Sequence, residues 1–151
     1  MNTKLILFEG LPGAGKSTST VQLGIHIQHR GITCRCFQEE DDPHPIACLD
    51  FEIKGLSQKL VPLWIDFTKQ AVQEPIVTII ESRLWQNTAL YMYMSENDVE
   101  DIVKLNQQVS QVLTPLSPVL FYLEQGNIEI ALRRMYAIRG EKWMELSLIH
   151  I

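Results

Sequence analysis

The segment from Lys4 to Phe8 is an unbroken apolar run that stops at Glu9-Gly10, the pattern of a short strand covered on both faces. From Ser17 to about Arg30, Val21, Leu23, Ile25 and Ile27 recur among Gln22, Gln28 and His29, and Gly31 supplies a stop signal. That pattern predicts a helix. Ile32 to Phe37 alternates and predicts a second strand. A strand, a helix and a strand in so short a span make a βαβ unit, hence a right-handed crossover and a parallel pair.

Glu39 to Pro45 is an acidic, proline-bearing loop. Phe51 to Gln73 is helical in pattern, with a kink or break expected at Pro62. Pro75 opens the β-branched run Ile76 to Ile80, which ends at Glu81. Ser82 to Met94 predicts a helix carrying Leu84, Trp85, Leu90, Tyr91 and Met94. Asn97, with Glu100 three residues on, has the spacing of a capping box for a helix through Val112. Pro118 introduces a fourth strand, Val119 to Leu123, and Asn127 begins a helix to about Ile138. Strands alternate with helices throughout, which predicts an α/β class with a parallel sheet.

The chain has 151 residues, 46% of them hydrophobic and 21% charged. Those values suit one soluble domain. The net charge of −5 argues against a protein that coats nucleic acid, so no nucleic-acid partner is expected. The three cysteines, at 34, 36 and 48, lack the spacing of a zinc site and fit a reducing, cytoplasmic setting. No apolar run approaches the ~20 residues of a membrane span, and Glu9 comes too early for a signal peptide. Leu146 to Ile151 has no cap, polar tail or strand boundary, and looks like the translation of a transposon end used to prepare sequencing libraries. We therefore expect the domain to occupy residues 1–145, incomplete at its C-terminus, with 146–151 a non-native tail. Any fifth strand would lie beyond that limit.

One motif carries specific chemistry. Gly10-Leu-Pro-Gly-Ala-Gly15-Lys16-Ser17 fits G-x-x-x-x-G-K-[ST] and lies between an expected strand and an expected helix. Gly10, Gly13 and Gly15, with Pro12 and Ala14, form a loop whose backbone N–H groups can turn toward phosphate oxygens. The helix beginning near Lys16 adds the positive end of its dipole. Lys16 would reach the β- and γ-phosphates of ATP, and the Ser17 hydroxyl would ligate Mg²⁺. The expected fold is a P-loop NTPase three-layer α/β/α sandwich, with strand order 2-3-1-4 or with the second strand outside 3-1-4.

Phe8-Glu-Gly-Leu-Pro-Gly-Ala-Gly-Lys-Ser-Thr18 resembles the opening of the nucleoside and nucleotide kinases, thymidylate kinase and the deoxynucleoside kinases above all. Ile79-Ile-Glu81-Ser-Arg83 is similar to the acidic-arginine motif at the end of their third strand. Pro118 to Leu123, then Arg133 and Arg134, then Arg139-Gly-Glu141 resembles their fourth strand and the start of their lid. Two departures leave the acceptor open. Gln38-Glu-Glu-Asp-Asp-Pro-His-Pro45 stands where thymidylate kinases carry Arg-Glu-Pro, and the arginine of the third-strand motif is displaced.

The resemblance implies roles for further residues. Glu81 at a strand end can hold the Mg²⁺ shell. Arg83 can grip a phosphate. An acid after the second strand takes the proton from the acceptor hydroxyl. Strand alternation lets only one of Glu39 and Glu40 face the cleft, and Glu40 is preferred. Phosphoryl transfer needs a cation on the developing charge, and the loop has no arginine of its own. Arg139 beside Gly140 is the first choice, with Arg133 in a substrate-binding role. Thr18 completes the cofactor loop. His44, Trp64, Trp85, Tyr91 and Tyr93 suit packing, though some could line a pocket.

The expected function is ATP- and Mg²⁺-dependent phosphoryl transfer to a small acceptor, a nucleoside or nucleotide. The acidic run Glu39 to Asp42 favours a neutral hydroxyl over a dianionic phosphate. The alternatives are an ATPase or nucleotide switch that drives a partner, and a nucleotide-binding module without turnover. A homodimer is compatible with the sequence.

Overall fold

Alternation along the first strand sets the layers of the molecule. β1 (Leu5–Gly10) is buried over its whole length. Leu5 and Leu7 enter one apolar cluster and Ile6 and Phe8 another, so the strand needs a helical layer on each face. The structure is a computed structural model and describes residues 2–47, 55–94 and 98–140. After β1 come α1 (Lys16–His29), β2 (Cys34–Phe37), α2 (Leu56–Gln73), β3 (Val77–Glu81), α3 (Gln86–Met94) and α4 (Val99–Leu113). A 3₁₀ turn at Thr114–Leu116 leads to β4 (Val119–Leu123) and α5 (Ile128–Arg139).

The four strands form one parallel sheet in the order β2-β3-β1-β4, the first of the expected orders. On one face Leu23 and Ile27 of α1 pack against Ile6, Phe8, Cys34, Val77 and Ile79. On the other, Trp64 and Phe67 of α2 join Leu105, Val109 and Leu113 of α4 and Leu116 over Leu5, Leu7 and Ile80. The result is the expected P-loop α/β/α sandwich. Gly24 fixes the spacing of α1 from β2. A Cβ at that position would stand 2.6 Å from the Cys36 Sγ. The Cys34 thiol donates to the Gly24 carbonyl at 3.3 Å. No helix among the described residues is long and apolar enough to cross a membrane.

Several boundaries differ from the sequence expectation. β1 continues through Glu9, which is fully buried, to Gly10. β2 begins at Cys34, because the Ile32 N–H is still bonded to the Ile27 carbonyl at the end of α1. α2 runs unbroken through Pro62. α3 begins at Gln86 and leaves Ser82 to Trp85 as a turn, with Ser82 in the left-handed region at φ 61°. The cap of α4 is Asp98, whose carboxylate accepts the Asp101 N–H at 3.0 Å. Asn97 lies outside the described residues, as do Cys48, the expected domain end at 145 and the tail 146–151.

Candidate active site

The C-terminal ends of β1 and β3 lie side by side, with Phe8 opposite Glu81. The loop from Gly10 to Gly15 leaves β1 at this edge and enters α1 at Lys16. Gly10, Gly13 and Gly15 all have positive φ, a conformation that favours glycine. Gly13 also needs its missing side chain for space. A Cβ there would stand 2.6 Å from the Met135 Cγ, because Ala131 and Met135 of α5 are buried against the loop. Pro12 and Ala14 are half-buried and Thr18 is exposed. The loop is closed by the Ala14 N–H on the Leu11 carbonyl at 3.1 Å.

Lys16 is buried, and its ammonium donates to the Gly10 and Leu11 carbonyls at 3.0 and 3.1 Å. Burial lowers its pKa, and the charges of Glu39, Glu81 and Glu9 oppose that shift. The Ser17 hydroxyl donates to Glu81 Oε1 at 2.9 Å. The same oxygen accepts the Glu39 N–H at 3.3 Å. Glu81 Oε2 is buried with no hydrogen-bond partner among the described residues. A serine hydroxyl beside an unfilled carboxylate oxygen, at the start of a helix, is an all-oxygen donor set that fits a hard divalent cation and its waters. No cluster of three or more His, Cys, Asp or Glu that could hold a metal occurs among the described residues.

The two acids after β2 differ in exposure, the less exposed being Glu39 and not the expected Glu40. β2 ends at Phe37, and a turn follows in which the Asp41 N–H bonds the Gln38 carbonyl. Strand alternation therefore does not reach Glu39 or Glu40. Glu39 is half-buried, and its charge is the largest one acting on Lys16. Glu40 is exposed.

Arg83 is buried and donates to the Glu39 carbonyl, while its Nε has no partner among the described residues. With Asn87, Thr88 and Tyr91 of α3, and with Ile46, Leu56 and Leu60, it lines a cleft of about 10 Å³. That volume holds about one water. A larger groove lined by Gln58, Val61, Pro62, Gln108, Gln111 and Val112 lies between α2 and α4, and none of the motif residues lines it. His44 is buried, with its Nδ1 accepting the Ile46 N–H at 3.0 Å. Its pKa falls to about 4, first through burial and then through the Arg83 charge.

The arginines of α5 separate. Arg133 is exposed and paired with Glu129 at 2.7 Å, one turn earlier on the same helix. Arg134 is exposed. Arg139, at the helix end, is close enough for its charge to lower the Lys16 pKa. Sequence reasoning did not single out Asn87 and Thr88, which line the cleft beside Arg83, and it missed Glu9 as more than a strand end. Glu9 is wholly buried, and its carboxylate accepts the Leu84 and Gln86 N–H groups at 2.8 and 2.9 Å. A single acid in an apolar strand, one residue before the first glycine of the loop, was the available signal.

No protein-family profile matches the chain, and no curated protein matches it in sequence. Solved structures do match. The crystal structure of APE1195 superposes with a TM-score of 0.51 at 14% identity, covering 92% of this chain and 76% of that one. Thymidylate kinase from Ehrlichia chaffeensis gives 0.50 at 12% identity, over 91% and 98% of the two chains. Thymidylate kinase from Candida albicans gives 0.49 at 18%, over 85% and 65%. At such identities the likeness shows a shared fold.

Proposed function

We propose that this chain is an ATP- and Mg²⁺-dependent phosphotransferase whose acceptor is a small molecule, a nucleoside or nucleotide. The observation that carries the reading is the Ser17–Glu81 contact on adjoining elements beside the buried Lys16. In this reading the backbone of Gly10, Pro12, Gly13, Ala14 and Gly15, with Thr18, cradles the phosphates, and Lys16 neutralises their charge. Ser17 and Glu81 hold the Mg²⁺. ATP, when bound, supplies the phosphoryl group. Arg139, in electrostatic reach of Lys16, steadies negative charge at the transfer point, and Arg133 has a lesser role because Glu129 already pairs it.

In this reading the acceptor approaches Arg83, Asn87, Thr88 and Tyr91, and their cleft of about 10 Å³, lined also by Ile46, Leu56 and Leu60, has to open to admit it. Glu39, in preference to Glu40, is the candidate base for an acceptor hydroxyl, because its charge acts on both Lys16 and Tyr91. The carboxylates of residues 39–42 disfavour a second dianion, so a nucleoside-like hydroxyl is the preferred acceptor. A second reading, an ATPase that drives a partner, draws support from the narrowness of the cleft.

The test is a panel of nucleosides and their monophosphates with radiolabelled ATP and Mg²⁺. Transfer to a nucleoside is expected, with loss of turnover in Glu39→Gln. Lys16→Ala should weaken ATP binding by at least about tenfold while unfolding as cooperatively as the parent. ATP hydrolysis with no labelled acceptor in any mixture would replace the kinase reading with the second. Equal ATP affinity in Lys16→Ala would overturn both.

A further inference from the structure

We propose that Glu9 is a positioning residue that aims Arg83, a role that rests on the acceptor-side reading of that arginine. The turn between β3 and α3 is fastened around Arg83 on both sides. The Ser82 N–H bonds the Phe8 carbonyl at 2.9 Å. The Leu84 N–H meets Glu9 Oε1 at 2.8 Å and the Gln86 N–H meets Oε2 at 2.9 Å, so one carboxylate takes the residues that flank the arginine on its C-terminal side. The Arg83 carbonyl accepts the Thr88 hydroxyl at 2.9 Å. The guanidinium thus extends from a backbone held at four points, with its own donor bond to the Glu39 carbonyl and its Nε left without a partner among the described residues.

The choice of an acid is informative. Glu9 is wholly buried, and burial raises its pKa, so the site holds a carboxylate where an apolar side chain would cost less to desolvate. What a carboxylate adds is two acceptors for N–H groups at the start of a helix, which otherwise lack intrahelical partners. α3 has this cap supplied from β1, some 75 residues earlier in the chain. The same residue immediately precedes Gly10, whose carbonyl holds the Lys16 ammonium. Glu9 thus sets the arginine turn and the phosphate loop in a fixed relation.

Glu9→Gln keeps one acceptor and turns an amide N–H₂ toward the other donor. Glu9→Asp keeps the charge but shortens the reach. In Glu9→Gln the Leu84 and Gln86 amides should exchange with deuterium at least about tenfold faster than in the parent. Arg83 should react faster with phenylglyoxal, read by mass spectrometry. Mg·ADP affinity should stay within about twofold, while the acceptor KM rises for whichever nucleoside or monophosphate the parent uses. A general structural role would instead lower Mg·ADP affinity and speed labelling at all the buried groups together, and that result would overturn the proposal. So would unchanged exchange and unchanged Arg83 labelling in folded Glu9→Gln. If neither variant folds, the parent decides. Leu84 and Gln86 amides that exchange as fast as those of a free peptide would refute the anchor, and strong protection at both would support it. Absence of any phosphoryl transfer in the parent would sink the functional reading alone, because the exchange and labelling results stand without it.

Discussion

His44 shows how much one side chain can depend on its surroundings. It sits between two prolines in an acidic loop, yet it is buried, packed edge-on against Phe37 at 5.5 Å, with Arg83 near enough to repel its charged form. Its folded pKa of about 4 lies below the ordinary 6.5. The unfolded chain therefore binds more protons here than the folded one between those values, and stability rises with pH across that window. The contribution is fully present above about 6.5 and is lost as the pH falls toward 4. The expected outcome is an unfolding temperature that drops over that range. In His44→Asn, which keeps an acceptor for the Ile46 N–H, the pH dependence should be flatter. Identical slopes for parent and variant, followed by circular dichroism, would remove His44 as the cause.

Among the elements, α4 offers the plainest test of local logic. Asp98 caps it, Glu100 and Asp101 sit in its first turn, and Leu105, Val109 and Leu113 line its buried face. Asp98→Ala should cost about 1 kcal/mol in urea unfolding, with the m-value unchanged. A loss below a few tenths would mean that packing alone holds the helix. The same element shows where sequence reading stops. Asn97 and Asp98 are both good caps by residue type, and the sequence alone does not choose between them; in the structure the Asp98 carboxylate takes the Asp101 N–H. The strand order, the layering and the glycine-rich turn between β1 and α1 were legible because their signals are contiguous: an apolar run, a glycine motif, a β-branched run ending in an acid. The start of α3 was not legible, because its cap comes from Glu9 across the fold. Nor was the deeper burial of Glu39 than of Glu40, because it turns on where β2 stops. Asn87 and Thr88 carry no pattern of their own and gain meaning only when α3 faces Leu56 and Leu60.

On the scale of the whole molecule the sheet is asymmetric. β2, at one edge, is tied by the Arg35–Glu74 ion pair at 2.6 Å. β4, at the other, is bonded only to β1 among the described residues, and its Val119, Leu120, Phe121 and Tyr122 are between 37% and 55% exposed. Such an apolar edge is a template for pairing with another chain. Leu120→Lys should lower the concentration-dependent light scattering of this 151-residue chain and leave its unfolding temperature nearly unchanged. Equal scattering in parent and variant would show that this edge is not what associates.

Gly24 has a consequence at the opposite end of its helix. α1 is a stiff rod, and Ser17 lies seven residues from Gly24, about 10 Å along the axis. The rod rests on the sheet at the glycine, where a methyl group would meet the Cys36 thiol in its present position. Where the Cys36 thiol does not turn aside, anything larger there becomes a fulcrum. The rod would tilt about it, and the first turn would swing away from β3 and carry the Ser17 hydroxyl off Glu81. A single added carbon on the underside of the helix would thus be felt as a misalignment of the turn from Gly10 to Gly15, with no residue of that turn altered.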